Sequence, residues 1–409
     1  MKKIGIEKLN LYASSLCLEL KELAKARNKD PEKVVSDFLI DRRSLLPPWE
    51  DPVTLGANAA KKIVSDTERA EIGLLIVGTE SSVDFGKPIS TNIHRALRLN
   101  PNVRNFEVKH ACYSGVAALD TAINWVASGL NYGRKALVIS TDFSRMHLNL
   151  KEEFVMGGVA AAAIVSDNPK LVEFELNKKG TWTQDTYDTF RPSARHEVGN
   201  NEVSLYSYLD ALEGAYRNYL EHTGEEVDFD SYFRYCVYHT PFAGMAFQAH
   251  RTLSNIFKPK SKAELKADFE KRVMPSLKYS RQCGSTYGAS NFVGTLSILT
   301  SAQGLNTNER IGYFAYGSGA IGEFYSGLIL AGAREEVQKL NLDQELAVRR
   351  TLSVAEYEVL ERLREGFIEN PSFEPDFSFS KGLYEEFYKG KGYLVLKQVK
   401  DFYRTYDWS

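Results

Sequence analysis

The fold class of this chain is indicated most clearly by residues 103–130, VRNFEVKHACYSGVAALDTAINWVASGL. The sequence of residues 103–109 predicts a β-strand. From Val116 to Leu130, apolar residues recur at spacings of three and four, which predicts a helix. The tight turn between them contains Cys112. A strand, a turn and a helix in this order are typical of an α/β protein, in which ligands bind beyond the strand ends. Cys112 is therefore the first candidate for a functional residue.

Predicted strands and helices also alternate on both sides of this segment. Further strands are predicted at residues 72–80, 135–140, 159–176 (two strands), 232–238 and 311–330 (two strands), with a helix at 241–257 that has Pro241 near its start. This alternation predicts an α/β layered fold with a largely parallel sheet. The order of elements is similar in the two halves of the chain, which indicates an internal duplication.

The composition argues against several classes of protein. The net charge of −2 gives no basic field for nucleic acid. No apolar run approaches the roughly 20 residues that span a bilayer, and the start lacks the apolar run of a signal peptide. Cys17, Cys112, Cys236 and Cys283 form no CxxC pair, which argues against a zinc site or a disulfide framework. We expect a cytoplasmic protein without a metal, a nucleic-acid partner or a membrane span.

Two interpretations of Cys112 follow from its local sequence. At a helix N-terminus, the backbone dipole and free N–H groups favour a thiolate, and Ser114 and Gly115 allow a tight turn. The alternative is an inert buried cysteine, and free cysteine is among the most buried residue types. The local sequence alone favours the inert alternative.

Glu80 and His239 resemble Cys112 in position, because each of the three follows a predicted strand. Glu80 ends the strand LLIVGT and is either a surface cap or a general base. His239 is either a hydrogen-bonded core histidine or a catalytic one, and His110 is a rival base. Residues 316–319 form a glycine-rich turn that either presents N–H groups to an oxygen or simply closes a hairpin.

Seven segments along nearly the whole chain together resemble the 3-hydroxy-3-methylglutaryl-CoA synthase family. They are GTESSVDFGK (78–87), FEVKHACYSG (106–115), ALVISTDFSR (136–145), YDTFRP (187–192), YHTPFAGM (238–245), YGSGAIGEFYSG (316–327) and LKQVKDFYRTYDWS (396–409). Seven matches in the family's order are hard to obtain by chance. Cys-Tyr-Ser-Gly, Asp-Phe-Gly-Lys, His-Thr-Pro-Phe and the final Tyr-Asp-Trp are similar to the polyketide branch of the family rather than to its mevalonate branch.

The resemblance implies a thiolase-like α/β fold, layered αβαβα, with two similar halves. Residues 1–167 would form the half that carries Glu80 and Cys112, and residues 168–409 the half that carries His239. It also implies a homodimer.

The activity implied by the resemblance is that of an acyltransferase, a condensing enzyme that adds an acetyl group to the β-ketone of an acyl chain. Cys112 would be the nucleophile that holds the acetyl group, Glu80 the general base and acid, and His239 the residue that polarises the acceptor carbonyl. Both substrates would be tethered to acyl carrier protein (ACP). The product would be a 3-hydroxy-3-methylglutaryl-type ACP thioester for β-methyl branching.

The resemblance also implies partners and a pocket. Asp142, Asp188 and Ser318 are expected in the pocket, together with Ser285 and Tyr113. The partners would be a donor and an acceptor ACP. Their phosphopantetheine arms would arrive with them, acetyl-CoA would be an alternative donor, and no metal or organic cofactor is implied.

Three positions depart from the family pattern. Ser285 follows Gly284 where relatives have asparagine, Phe154 lies in a remodelled segment, and Phe247 stands where relatives often have lysine. These changes would act on substrate choice or on carrier contacts rather than on the catalytic residues.

Three alternatives remain open from the sequence. The first is a mevalonate-pathway synthase that uses CoA substrates. The second is an enzyme like ketoacyl-ACP synthase III, which needs a Cys-His-Asn triad, but no convincing Asn-x-Arg-Ile-type segment is found and Glu80 would have no role. The third is a non-catalytic scaffold of an assembly line. The presence of Glu80, Cys112 and His239 together argues against this third alternative.

Overall fold

Strands and helices alternate along residues 3–409, the part of the chain that this computed structural model describes. The strands are Gly5–Tyr12 (β1), Leu16–Glu19 (β2), Arg42–Leu45 (β3), Ile72–Gly78 (β4), Arg104–Val108 (β5), Lys135–Phe143 (β6), Gly158–Ser166 (β7), Val172–Thr183 (β8), Thr189–Phe190 (β9), Val198–Gly199 (β10), Tyr235–Tyr238 (β11), Arg310–Gly317 (β12), Ile321–Ile329 (β13), Arg350–Thr351 (β14), Leu394–Lys400 (β15) and Tyr403–Trp408 (β16). The helices are Leu20–Ala26 (α1), Pro31–Phe38 (α2), Pro52–Lys61 (α3), Asp66–Glu71 (α4), Ile89–Ala96 (α5), Ser114–Ala127 (α6), Asn201–Thr223 (α7), Phe229–Tyr232 (α8), Met245–Phe257 (α9), Lys262–Arg272 (α10), Ser280–Cys283 (α11), Ser290–Ser301 (α12), Ala333–Gln338 (α13), Leu342–Ala347 (α14), Val354–Glu365 (α15) and Leu383–Phe387 (α16). Short 3₁₀ helices cover Lys151–Phe154, Met274–Leu277 and Tyr287–Ala289.

The main sheet is mixed, so the prediction of a largely parallel sheet is wrong. Its nine strands run in the order β11-β12-β13-β8-β1-β7-β6-β4-β5. Only β4–β5, β4–β6 and β11–β12 are parallel pairs. In the first half, β6 pairs antiparallel with β7, and β7 pairs antiparallel with β1. In the second half, β12 pairs antiparallel with β13, and β13 pairs antiparallel with β8.

The two halves have corresponding strand orders. The first half runs β5-β4-β6-β7-β1, and the second runs β11-β12-β13-β8, which is the same order without a counterpart of β5. They meet where β1 pairs with β8 through Gly5–Glu173 and Ile6–Val172. A Cβ on Gly5 would lie 1.9 Å from the Val172 carbonyl oxygen, so this contact requires glycine. The division at residues 167 and 168 stays a prediction.

Helices cover both faces of each half-sheet, which confirms the expected αβαβα layers. The central core contains buried residues of α6 and α12 together with residues from the strands of both halves. On the outer face of the first half, α3 and α5 pack against β4, β6 and β7. On the outer face of the second half, α7 and α9 pack against β11, β12 and β13. The strand ends that carry the candidate residues therefore meet around the buried central helices.

The helix predicted at residues 241–257 begins later than expected, at Met245. Pro241 lies in the preceding turn. The backbone N–H of Gly244 donates to the Phe38 carbonyl, and this contact ties the turn to the end of α2. Within the described residues, no helix combines the length and the apolar character that a membrane crossing needs.

Candidate active site

Cys112 lies in a tight turn between β5 and α6. Ala111, just before it, has a φ of 40°, in the left-handed region, where a small side chain is the least costly after glycine. The Tyr113 N–H donates to the His110 carbonyl at 3.0 Å, and the Ser114 N–H donates to the Ala111 carbonyl at 3.2 Å. These bonds fix the turn, and the cysteine stands two residues ahead of the helix.

Close packing brings the glycine-rich turn of the second half onto the cysteine turn. A Cβ on Gly317, at the end of β12, would lie 2.6 Å from the His110 carbonyl oxygen and 2.6 Å from the Tyr113 Cβ. A Cβ on Gly115 would lie 2.2 Å from the Gly288 carbonyl oxygen. Backbone therefore meets backbone at both points, which explains why glycine occupies them.

Glu80 faces Cys112 directly. The Cys112 Sγ donates a hydrogen bond to Glu80 Oε1 over 3.0 Å. The backbone N–H of Glu80 donates to Asp142 Oδ1 at 2.8 Å, and the same oxygen accepts from Thr79 Oγ1 at 2.9 Å. Asp142 is fully buried at the end of β6 and thus holds the backbone that carries Glu80.

The ionisation of Cys112 depends on its surroundings more than on the helix terminus. Burial, and then the Glu80 carboxylate, raise the pKa of Cys112 well above that of a free thiol. The N–H groups of Tyr113 and Ser114 are used by carbonyls of the turn. Of the two interpretations that the sequence left open, the structure therefore gives the free protein a buried thiol, but one in contact with a carboxylate. Burial and Glu80 also raise the pKa of Asp142 to about 7.

His239 follows β11 and is buried, with its ring beside that of Tyr316 on β12. Its backbone N–H donates to the Phe314 carbonyl at 2.7 Å, and its own carbonyl accepts from the Tyr208 hydroxyl at 2.8 Å. Its ring centroid lies 6.3 Å from that of Tyr316. Burial lowers the pKa of His239 to about 3, so the imidazole is neutral at pH 7. Among the described residues, no hydrogen bond joins its side chain to Cys112 or Glu80.

Asp188 holds the glycine-rich turn. Its Oδ2 accepts from the Tyr316 hydroxyl at 2.7 Å and its Oδ1 accepts from the Gly319 N–H at 2.9 Å. Ser318 lies between these two anchored residues and is partly buried. His110 Nε2 lies 3.5 Å from where a Cβ on Gly319 would be, so the rival base faces this turn.

Tyr113 and Ser285 have structural contacts that the sequence did not reveal. The Tyr113 hydroxyl donates to the buried carboxylate of Glu323 on β13. Its assignment to substrate binding stays a prediction, and this contact counts against it. Ser285 is buried, and its N–H donates to the Val155 carbonyl at 2.8 Å.

The other two departures from the family pattern pack against aromatic rings. Phe154 stacks on Phe38 with centroids 6.2 Å apart. Phe247 meets Phe269 edge-on with centroids 5.1 Å apart. Both side chains therefore contribute to hydrophobic packing.

The sequence prediction missed Arg191, which lies between β9 and β10. Its Nε is 3.9 Å from Glu80 Oε2, and its Nη1 donates to the Glu80 carbonyl at 3.3 Å. Its Nε donates to Glu197 Oε2 at 2.6 Å, and the other Glu197 oxygen lies 3.5 Å from His147 Nε2. The only sequence signal was its place in YDTFRP, three residues after Asp188.

The arrangement suits acyl transfer and carbon–carbon bond formation. A nucleophilic sulfur contacts a carboxylate, and a neutral imidazole lies beside Tyr316, one residue before the Gly317 that packs on the cysteine turn. In residues 3–409, no group of three or more His, Cys, Asp or Glu side chains is placed to hold a metal ion.

Known proteins resemble the chain over its whole length. The sequence profile described as "Hydroxymethylglutaryl-coenzyme A synthase N terminal" matches residues 1–169, and the corresponding C-terminal profile matches residues 172–262 and 247–408. The chain is 36% identical over 423 residues to the polyketide biosynthesis 3-hydroxy-3-methylglutaryl-ACP synthase of Bacillus subtilis, with 100% of both proteins covered. It is 32% identical over 358 residues to the hydroxymethylglutaryl-CoA synthase of Enterococcus faecalis, covering 87% of this chain and 91% of the relative.

Solved structures agree with these sequence matches. The HMG synthase of the curacin biosynthetic pathway superposes with a TM-score of 0.94 at 38% identity, and 100% of both chains is covered. The same enzyme in complex with acetyl donor-ACP gives a TM-score of 0.95 at 38% identity and the same coverage.

Proposed function

The chain belongs to the hydroxymethylglutaryl-coenzyme A synthase family, and on that premise we propose that it is an ACP-dependent condensing enzyme of polyketide biosynthesis. The observation that carries this proposal is the 3.0 Å contact between the nucleophile Cys112 and the carboxylate of Glu80, in a chain matched end to end by a polyketide-pathway synthase.

The first step is transfer of acetyl from a donor thioester to Cys112. The sulfur attacks the acetyl carbonyl carbon while its proton passes to Glu80, which is already its hydrogen-bond acceptor. The bond from the acetyl carbon to the donor sulfur breaks, and the departing phosphopantetheine thiol takes up the proton. Because the free thiol has a raised pKa, this proton transfer is what makes the sulfur nucleophilic.

The second step forms the carbon–carbon bond. Glu80, ionised again, removes a proton from the methyl group of acetyl-Cys112, and the resulting enolate carbon adds to the β-ketone of the acceptor. His239, neutral at pH 7, donates a hydrogen bond to the ketone oxygen, which becomes a hydroxyl by taking a proton from the Glu80 carboxyl. Water then attacks the acyl carbon and the bond to the Cys112 sulfur breaks, which leaves a carboxylate on the product. One proton of the water returns to the sulfur as the thiol, and the other is released to solvent.

The remaining pocket residues have positioning roles in this proposal. Asp142 holds the Glu80 backbone, and Asp188 holds the turn that contains Ser318. The backbone N–H groups of Cys112 and Ser318, which have no acceptor within the described part of the chain, would bind the enolate oxygen. Ser285 would contact the acyl group in place of the family's asparagine.

The partners in this proposal are a donor and an acceptor ACP, and the enzyme is a homodimer. The curacin-pathway synthase has been solved with apo, holo and acetyl donor-ACP, and it supports a donor carrier here. All four cysteines are unpaired, which fits a reducing cytoplasm. The mevalonate-type alternative, with CoA substrates, rests on the similarity to the Enterococcus enzyme.

Intact-mass measurement tests the proposal. Incubation with acetyl-ACP should add one acetyl group to the wild type and none to Cys112→Ala, while Cys17→Ala, which alters a buried cysteine, should acquire it. Acetoacetyl-ACP should then discharge the adduct as a 3-hydroxy-3-methylglutaryl-ACP product. Parallel arms with acetyl-CoA and acetoacetyl-CoA separate the two branches. Absence of an adduct from both donors would contradict the enzyme proposal.

A further inference from the structure

Arg191 enters the site on a short surface hairpin. The residues between β9 and β10 are exposed or half-buried, yet only 13% of the Arg191 side chain is accessible. Asp188 anchors the start of this segment by its bonds to Tyr316 and Gly319. Beyond that anchor, the hairpin places the guanidinium next to Oε2 of Glu80, whereas Cys112 contacts Oε1.

The guanidinium contacts Glu80 in two ways. Nη1 donates to the Glu80 carbonyl at 3.3 Å and Nε lies 3.9 Å from Oε2, while Oε1 is left to the Cys112 thiol. Arg191 therefore contacts both the backbone carbonyl and the carboxylate of Glu80.

Charges of both signs surround the pair. The charged groups that act on the Cys112 thiol are Glu80, Asp142 on β6 and Arg191, and the hydroxyls of Tyr287 and Tyr316 interact with it as well. His239 and Asp188 contact Tyr316, while Glu197 and His147 lie behind Arg191. Burial works against ionisation of Glu197, but His147 and Arg191 lower its pKa to about 2. Arg191 is thus a cation placed between the Glu80 and Glu197 carboxylates.

We propose that Arg191 is a positioning residue that holds Glu80 turned toward Cys112, with Glu197 and His147 holding the guanidinium in place. For the condensation step this rests on the function proposed above, whereas the effect on the Cys112 thiol does not. Arg191 therefore acts through Glu80 and touches no reacting atom.

Alkylation of Cys112 tests the inference without any carrier protein. Arg191 is a cation that lowers the pKa of Cys112, against the stronger effects of burial and Glu80. The pH midpoint for labelling by iodoacetamide, followed by intact mass, should rise by about one unit in Arg191→Met, the lower end of what loss of a nearby cation does. Arg191→Lys should restore most of the shift. Arg195→Met, which removes an exposed arginine of the same hairpin, should leave the midpoint unchanged.

Single-turnover condensation tests the second part. Pre-acetylated enzyme is mixed with acetoacetyl-ACP. In Arg191→Met the rate of condensation should fall by about tenfold, in the range expected for ångström-scale misplacement of a reacting group. The lysine variant should recover it. An unchanged rate in Arg191→Met, or no recovery in Arg191→Lys, would overturn the inference.

Glu197→Gln covers the case in which Arg191→Met does not fold. Without this carboxylate, more of the positive charge of the guanidinium acts on Cys112, so the alkylation midpoint should move to lower pH. An unchanged or raised midpoint would reject the inference. If the wild type forms no acetyl adduct but the alkylation shifts occur, the proposed function fails and the role of Arg191 stands. If the wild type condenses and the alkylation midpoint does not shift, only the role of Arg191 fails.

Discussion

The thiol of Cys112 donates its hydrogen bond to Oε1 of Glu80 across 3.0 Å. One carboxylate therefore meets both protons that the proposed reaction moves, first that of the thiol and then that of the acetyl methyl group. The order of events follows from this contact, because Glu80 must release the first proton before it can remove the second.

Replacing Glu80 separates these two tasks. Glu80→Gln should lower the pKa of Cys112, since the carboxylate raises it, and the alkylation midpoint should fall by about one unit. The variant should still accept acetyl from acetyl-ACP, but condensation should drop by about 100-fold or more for loss of the base. Glu369→Gln, an exposed carboxylate, serves as the control. Condensation at the wild-type rate would point to another base, with His110 the first to examine.

His239 should remain neutral throughout the working range. Its pKa of about 3 lies below that of free histidine, so the charged form appears only in strong acid. The NMR signals of its labelled ring should stay constant from pH 5 to pH 9. His239→Ala should be acetylated and fail to condense. Titration of His239 near pH 6.5 would contradict a neutral hydrogen-bond donor.

Glu323 should make stability depend on pH. Burial, and then Asp120, raise its pKa from 4.5 to about 7. In this window the folded chain keeps a proton that the unfolded chain releases, so the stabilisation is complete below about pH 4.5 and is lost as pH rises to 7. The free energy of unfolding of Glu323→Gln, relative to the wild type, should therefore rise by about 3 kcal/mol between pH 4 and pH 8. Urea unfolding measures it.

A suitable control for this measurement is Glu335→Gln on the exposed surface of α13, which should show no such trend. A difference for Glu323→Gln that stays flat with pH would mean that Glu323 is ionised in the folded protein at pH 5.

Gly317 should not tolerate a methyl group. A Cβ there would lie 2.6 Å from both the His110 carbonyl oxygen and the Tyr113 Cβ, so the cysteine turn must move. Gly317→Ala should slow acetylation of Cys112 by about tenfold or more, in the range expected for ångström-scale misplacement of a reacting group. Gly366→Ala, at a helical φ of −64° at the end of α15, should keep the wild-type rate. Equal rates for both variants would show that the turn can yield.

The positions of Glu80 and Cys112 could be predicted because the end of a strand can be recognised from the amino-acid sequence alone. Glu80 follows the fully buried strand β4 and Cys112 follows the half-buried strand β5, and the ends of these adjacent parallel strands meet at one edge.

The direction of strand pairing could not be predicted. β7 is buried on both faces, like a strand of a parallel sheet, yet it pairs antiparallel with β1 and β6. A fully buried strand carries no alternation of polar and apolar residues, so its sequence does not reveal its direction.

The state of the thiol and the role of Arg191 also lay beyond the sequence. Glu80 and Arg191 are 111 positions apart, and their contact depends on a hairpin whose strands have two residues each. The pKa of Cys112 depends on several charged groups that only folding brings together, so the local sequence around Cys112 cannot predict it.

The narrow seam between β1 and β8 has a consequence for biosynthesis. During translation the first half, with Glu80 and Cys112, leaves the ribosome before α12 and β12 exist to cover its inner face. That apolar surface must wait for the second half, and the interval is when a chaperone would bind or chains would aggregate. Enzymatic activity is then the last property that the newborn chain acquires.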